Sequence, residues 1–134
     1  MYAQASYVDA VAEVLDELRE SITFAGGCGI PRERVLIDPG LGFAKEAAHS
    51  YEVLARLDEF SDLGRPLLVG PSRKSFLTRP FGRTVPAAER EWPTAAAVTA
   101  AVLCGAHIVR VHAVGEMVQV VRVADEIRKY HRRD

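Results

Sequence analysis

Apolar residues recur along this chain in two alternating patterns, stretches at helical spacing and short unbroken runs. Val8, Val11, Ala12, Leu15, Leu18 and Ile22 repeat at the three-to-four spacing of an amphipathic helix, with Ser6 and Asp9 at its head as a capping box. Gly26, Gly27, Gly29 and Pro31 stop it. Arg34 to Asp38 is a short apolar run closed by Pro39-Gly40, the pattern of a buried strand. Ser50 to Phe60 returns to helical spacing, with Val53, Leu54, Leu57 and Phe60 on one face. Leu67 to Gly70 is a second apolar run, followed by the tight segment Gly70-Pro71-Ser72-Arg73-Lys74-Ser75 and a mobile loop marked by Pro80, Gly82 and Pro86. Thr94 caps an Ala/Val-rich helix ending near Gly105, His107 to Val111 is a third strand, and Gly115 to His131 a last helix with Met117, Val118, Val121, Ala124 and Ile127 inward.

The order is a helix and then three strand–helix units. Strands alternating with helices imply parallel pairing through right-handed crossovers, and runs without polar alternation suit strands covered on both faces. Three such units do not close a barrel, which takes about 250 residues. The pattern fits a small open α/β sheet or the last three βα units of a (β/α)8 barrel, read as one unit over residues 1–134.

Composition narrows the function only by exclusion. With 17 basic and 18 acidic residues the net charge is −1, so no bulk field favours nucleic acid or an acidic membrane. No stretch approaches the roughly 18 apolar residues of a membrane span, and the N-terminus lacks a signal pattern. A soluble cytoplasmic chain follows. Cys28 and Cys104 lack metal-ligand spacing and read as reduced structural thiols. His49, His107 and His131 show no ligand spacing either.

The unusual polar residues gather at the carboxyl ends of the three expected strands, where parallel α/β folds bind ligands. Asp38 to Lys45 follow the first strand, Ser72 to Ser75 the second, and Arg110 and His112 belong to the third. Residues two apart on a strand share a face, so Arg110 and His112 can address one ligand. Plainer readings exist for each. Asp38 before Pro-Gly can form an Asx-turn, Ser72 or Ser75 can cap a helix, Arg110 can pair with Asp38 or a helix carboxylate, and His112 alone would more often be structural. The Gly40/Gly42 pair lacks the third glycine of a dinucleotide loop, because Lys45 stands there. Lys74-Ser75 lacks the glycine of a phosphate loop, because Arg73 stands there.

Asp38-Pro39-Gly40-Leu41-Gly42-Phe43-Ala44-Lys45, Gly70-Pro71-Ser72-Arg73-Lys74-Ser75-Phe76 and Arg110-Val111-His112, together with Glu91-Trp92 and Thr94-Ala95-Ala96, resemble the motifs of dihydropteroate synthases in order and spacing. Such enzymes, the targets of sulfonamides, are (β/α)8 barrels. They join 4-aminobenzoate to a dihydropterin methyl diphosphate in folate biosynthesis, releasing pyrophosphate. The resemblance implies that Asp38 accepts hydrogen bonds from the pterin's amino-pyrimidine edge and that Lys74 contacts the pterin between the two substrates, these two being the catalytic pair. Ser75, Phe43 and Arg73 would hold the aminobenzoate. Arg110 would contact the pterin and, with His112, grip the diphosphate, where fixed cations stabilise the charge gathering on the leaving group. Ala113 and Pro93 depart from the family pattern, which carries Asp and commonly Gly there. The family's N-terminal half has no counterpart here. Its Mg²⁺ ligand would therefore lie outside this chain, which supplies no metal ligand of its own.

Two further readings compete with a synthase that needs its other half. One is a non-catalytic or methyltransferase-type pterin-binding module, disfavoured by Ser72 to Ser75, since a methyltransferase has no aminobenzoate carboxylate to bind. The other is a half-barrel that associates, as a homodimer or with the missing half, to bury its sheet edges.

Overall fold

A computed structural model describes residues 7–131. Helix α1 (Ala10–Gly27) starts at Asp9, whose Oδ1 accepts a hydrogen bond from the Ala12 N–H at 3.0 Å. Asp9 is thus the cap, and Ser6 lies outside the described residues. Val11, Val14 and Leu15 form the buried stripe, with Leu18 and Ile22 partly buried. Val8 and Ala12 are exposed, because Val8 precedes the helix and Ala12 falls on its outer side.

Helix α2 (Ala47–Ala55) begins three residues earlier than its apolar spacing predicts and tightens at Arg56 into a 3-10 segment, Leu57–Leu63. Val53, Leu54, Leu57 and Phe60 are all buried, so the expected face survives the change of helix type. Arg56 fastens α2 to α1, contacting Asp9 at 3.1 Å as well as Glu52 at 3.0 Å and Glu59 at 2.6 Å. These partly exposed charges fix orientation more than they add stability.

The strands are shorter than the apolar runs. β1 (Leu68–Val69) pairs in parallel with β2 (Ile108–Val109), and Arg34 to Asp38 makes only one parallel bridge, Ile37 to Leu67. The expected third strand likewise ends its ladder at Val109, although the Arg110 N–H still donates to the Val69 carbonyl at 2.9 Å. The register, Leu68 beside Ile108 and Ile37 beside Leu67, sorts the side chains. Because strand side chains alternate, Ile37, Leu67 and Val69 share one face. All three are buried against the helices, at 3%, 3% and 0% exposure. Leu36, Asp38, Leu68, Ile108, Gly70 and Arg110 share the opposite face. There Leu36 and Ile108 are 49% and 41% exposed.

Residues expected as loop after β1 wind into 3-10 turns, Ser75–Phe81 and Ala87–Glu89. Helix α3 (Glu91–Leu103) starts three residues before Thr94, with Pro93 in its first turn where a missing N–H costs nothing. Thr94 is therefore inside the helix rather than its cap, and its hydroxyl is free for another partner. Helix α4 (Val114–Lys129) packs on α3 through Val98, Val102, Met117 and Ala124. Val118 and Ile127, expected inward, are 41% and 45% exposed. Cys28 is exposed and Cys104 half-buried, both free. Among the described residues no helix is long and apolar enough to cross a membrane.

Candidate active site

The segment after Ile37 turns sharply because Asp38 Oδ1 accepts from the Gly40 N–H at 2.8 Å. The Asx-turn is therefore real, and the exposed carboxylate still has its second oxygen for a ligand. Gly42, at φ +77°, carries the turn onward, and its N–H donates to the fully buried Ser50 hydroxyl at 3.0 Å. A β-carbon at Gly42 would stand 3.2 Å from Lys74 Cδ and press on the Lys74 chain, besides being strained by the positive φ. Lys45 closes the loop by donating to the Gly40 and Phe43 carbonyls at 3.1 and 3.3 Å.

Lys74 crosses from the neighbouring segment into this loop. Its ammonium donates to the Leu41 carbonyl and sits 4.5 Å from the centroid of the exposed Phe43 ring. Burial holds its pKa below the ordinary lysine value. Arg110 and Lys45 press it in the same direction, and Asp38 opposes them. Burial also lowers Lys45, against the pull of Glu17 and Asp38. Gly70 is the floor between the loops: a β-carbon there would meet Arg110 Cβ at 3.7 Å and Lys74 Nζ at 4.0 Å. Asp38, Lys74 and Arg110 thus share one region at the open face, and no ion pair of Arg110 to a carboxylate is formed among the described residues.

The Ser72–Lys74 stretch is anchored to α3. Arg73 takes a left-handed backbone at φ +59°, a conformation that favours glycine and persists where surroundings impose it. Here its N–H donates to Thr94 Oγ1 at 3.0 Å, its carbonyl accepts from Arg90 Nη1 at 2.6 Å, and its guanidinium pairs with Glu91. One oxygen of Glu91, Oε2, is buried with no partner among the described residues. Ser72 is buried at 6% exposure and caps no helix; its Oγ lies 2.7 Å from His112 Nδ1. Ser75 is exposed as the first residue of a 3-10 turn, Ser75–Phe81, not of an α-helix.

The residues named from sequence thus fall into two neighbouring groups. Asp38, Phe43, Lys74 and Arg110 surround Gly70 and Gly42, while Arg73 is drawn to Glu91 and His112 to Ser72. Sequence reasoning passed over Lys45, Ser50, Arg90, Thr94 and Glu91 as positioning groups. Glu91 and Thr94 carried a signal, standing within the matching motif, but their partners lie about twenty residues away. His49 and His107 are structural, their Nδ1 atoms accepting from the Glu46 and Leu67 N–H groups. Among the described residues no group of three or more His, Cys, Asp or Glu is placed to hold a metal ion.

The family model described as "Pterin binding enzyme" matches residues 1–112. The chain belongs to the pterin-binding enzyme family. The dihydropteroate synthase of Synechocystis is 41% identical over 121 residues, 90% of this chain and 42% of the relative. The Escherichia coli K12 dihydropteroate synthase is 42% identical over 93% of this chain and 44% of its own length. A solved structure of the Xanthomonas albilineans dihydropteroate synthase in complex with 7,8-dihydropteroate superposes with TM-score 0.89 at 36% identity, covering 98% of this chain and 50% of that one. The same organism's enzyme with 4-aminobenzoic acid gives 0.88 at 37% identity, covering 96% and 46%. This pterin-binding chain therefore spans about half the length of the relatives it matches.

Proposed function

We propose that this chain is the C-terminal part of a dihydropteroate synthase, a single pterin-binding unit over residues 1–134 forming the last three βα units of a (β/α)8 barrel. The observation that carries the reading is the convergence of Asp38, Lys74 and Arg110 on the open sheet face at Gly70. One carboxylate and two cations there match a ligand with an amide-like edge and an anionic tail. The free Asp38 oxygen would accept from the pterin's amino-pyrimidine edge, and Lys74, carried over Phe43, would lie between pterin and aminobenzoate. Ser75 and Phe43 would receive the aminobenzoate, with Arg73 behind them. Arg110 and His112 would hold the diphosphate.

In the reaction, the aromatic amine of 4-aminobenzoate attacks the pterin methylene. A C–N bond forms, the C–O bond to diphosphate breaks, and the amine proton leaves with solvent or pyrophosphate. The amine is already a neutral nucleophile, so positioning and charge stabilisation carry the rate. The Mg²⁺ expected of the full enzyme would take its ligand from outside this chain.

The uncovered face that bears Leu36 and Ile108 supports a further part of the same reading, namely that the remaining half of the barrel, or failing that a second copy, packs there. The isolated chain then has little synthase activity. Supplied with 4-aminobenzoate, the pterin diphosphate and Mg²⁺, it should form no more than traces of dihydropteroate in the cytoplasm-like buffer of a standard assay. Adding the N-terminal half should restore turnover. Labelled 4-aminobenzoate should bind that complex when pterin and pyrophosphate are present, and Lys74→Ala or Ser75→Ala should weaken it at least about tenfold. Binding of a methyl-folate in place of aminobenzoate would overturn the synthase reading.

A further inference from the structure

We infer that Ser72 is a positioning residue that fixes the tautomer of His112, so that the ring presents an Nε2–H donor to an anionic ligand. The inference rests on the reading of His112 as a diphosphate contact and adds to it a residue and a protonation pattern.

The geometry around the hydroxyl decides the matter. Ser72 is 6% exposed, and its Oγ makes two contacts to one residue: it accepts from the His112 backbone N–H at 3.2 Å and lies 2.7 Å from His112 Nδ1. A serine hydroxyl has one proton to give and two lone pairs. If the imidazole carried its proton on Nδ1, Nδ1–H would donate to Oγ. Ser72 would then accept twice, and its own O–H would be a buried donor with no acceptor among the described residues. If Ser72 donates to Nδ1 instead, every polar atom of the pair is satisfied. Buried groups are found satisfied in nearly all native structures, so the second arrangement is the one the site selects. It leaves Nδ1 without a proton and places the proton of the neutral ring on Nε2, the nitrogen with no protein partner among the described residues.

The arrangement suits an anion. An Nε2–H donates to a phosphate oxygen, whereas an Nε2 lone pair would repel it. The neighbouring backbone is built to hold the hydroxyl still. The Lys74 N–H closes a turn on the Pro71 carbonyl at 3.2 Å, and Arg73 is tied at its N–H, its carbonyl and its guanidinium to Thr94, Arg90 and Glu91. Arg73, the residue after Ser72, is held in a left-handed backbone conformation.

The test reads the tautomer directly. Long-range ¹H–¹⁵N correlation on the ¹⁵N-histidine-labelled full chain at alkaline pH, where an imidazole is neutral, reports which nitrogen is protonated, and the signal lost in His112→Asn assigns it. We expect Nε2–H in the unaltered chain, a mixture of tautomers in Ser72→Ala, and Nε2–H again in Ser72→Thr. Titration with inorganic pyrophosphate should be weakened about tenfold by Ser72→Ala and within about twofold of the unaltered chain in Ser72→Thr, the change one hydrogen bond makes. An Nδ1–H ring in the unaltered chain overturns the inference, as does a Ser72→Ala chain whose tautomer and pyrophosphate affinity are both unchanged. If Ser72→Ala does not fold, the tautomer of the unaltered chain and the threonine variant still decide. A ring held as Nε2–H in a chain that binds no pyrophosphate would overturn the diphosphate reading and leave the control of the ring by Ser72 standing.

Discussion

The two faces of the same short sheet differ sharply in burial. Toward the helices, Ile37, Leu67 and Val69 are almost fully buried. On the other side, one residue away along each segment, Leu36 and Ile108 are nearly half exposed and share their face with Asp38 and Arg110. The side chains are alike in chemistry on the apolar part, so composition does not separate the faces; only the pleat does. Parallel sheets are ordinarily covered on both sides. The helix-covered face is what this chain needs to hold its own fold. The open face carries the residues assigned to ligands and the apolar surface assigned to association.

The sharpest way to break that comparison is one substitution made on both sides. Val69→Asp puts an unpaired charge into the core, and the expected loss of about 3–5 kcal/mol should abolish a cooperative urea transition. Ile108→Asp, on the open face, should keep the transition and cost under about 1 kcal/mol. If both variants unfold alike, the two faces are not energetically distinct. A smaller effect is expected from the charges. Arg110→Ala should weaken pyrophosphate binding roughly tenfold or more by calorimetric titration, since a charge-assisted contact is lost. Because Arg110 is exposed, its urea midpoint should correspond to a stability change within about 0.5 kcal/mol. A large stability loss with unchanged binding would move Arg110 from the ligand side of the comparison to the structural side.

The helix-covered face was legible in the sequence because it is written in local spacing. In α1 the spacing finds Val11 and Leu15 but passes over the buried Val14 and includes Val8 and Ala12, which are exposed; Val53, Leu54, Leu57 and Phe60 all hold, through a change of helix type that no periodicity registers. The motif loops were legible as motifs, and the Asx-turn at Asp38 follows from the Asp-Pro-Gly order. What escaped depends on partners distant in the chain. The Arg34 to Asp38 run reads as a strand from its apolar content, but a strand is a pairing, and only Ile37 finds one. Thr94 reads as a cap because threonines cap helices, yet its hydroxyl serves Arg73 twenty-one residues earlier. Ser72 reads as a cap for the same reason and instead meets His112 forty residues on. Thr94 Oγ1 accepts from the Arg73 N–H and Ser72 Oγ from the His112 N–H, so in both cases a partner distant in the chain takes the hydroxyl that a cap would have used.

The smallest expected effect belongs to Lys74, the side chain that passes from one segment to the other on the open face. Burial, with Arg110 and Lys45 adding to it against Asp38, lowers its pKa in the folded chain. In the unfolded chain the amine returns to its ordinary value, about 10.4. Well below the depressed folded value both states are protonated and the group contributes no slope. As pH rises through the depressed folded value, the folded chain loses the proton first while the unfolded chain retains it, so the unfolded state binds more protons and stability rises with pH. The gain is complete above the ordinary lysine value. Lys74→Met removes the group, and subtracting the variant cancels the titrations of groups that do not sense Lys74. The stability of the unaltered chain minus that of Lys74→Met, from urea midpoints at steps between about pH 7 and about pH 10.5, should therefore climb toward the alkaline end. A falling difference would mean that Asp38 and the Leu41 carbonyl stabilise the ammonium more than burial penalises it. The open face would then be built to keep Lys74 charged, a holder of anions rather than a group strained toward neutrality.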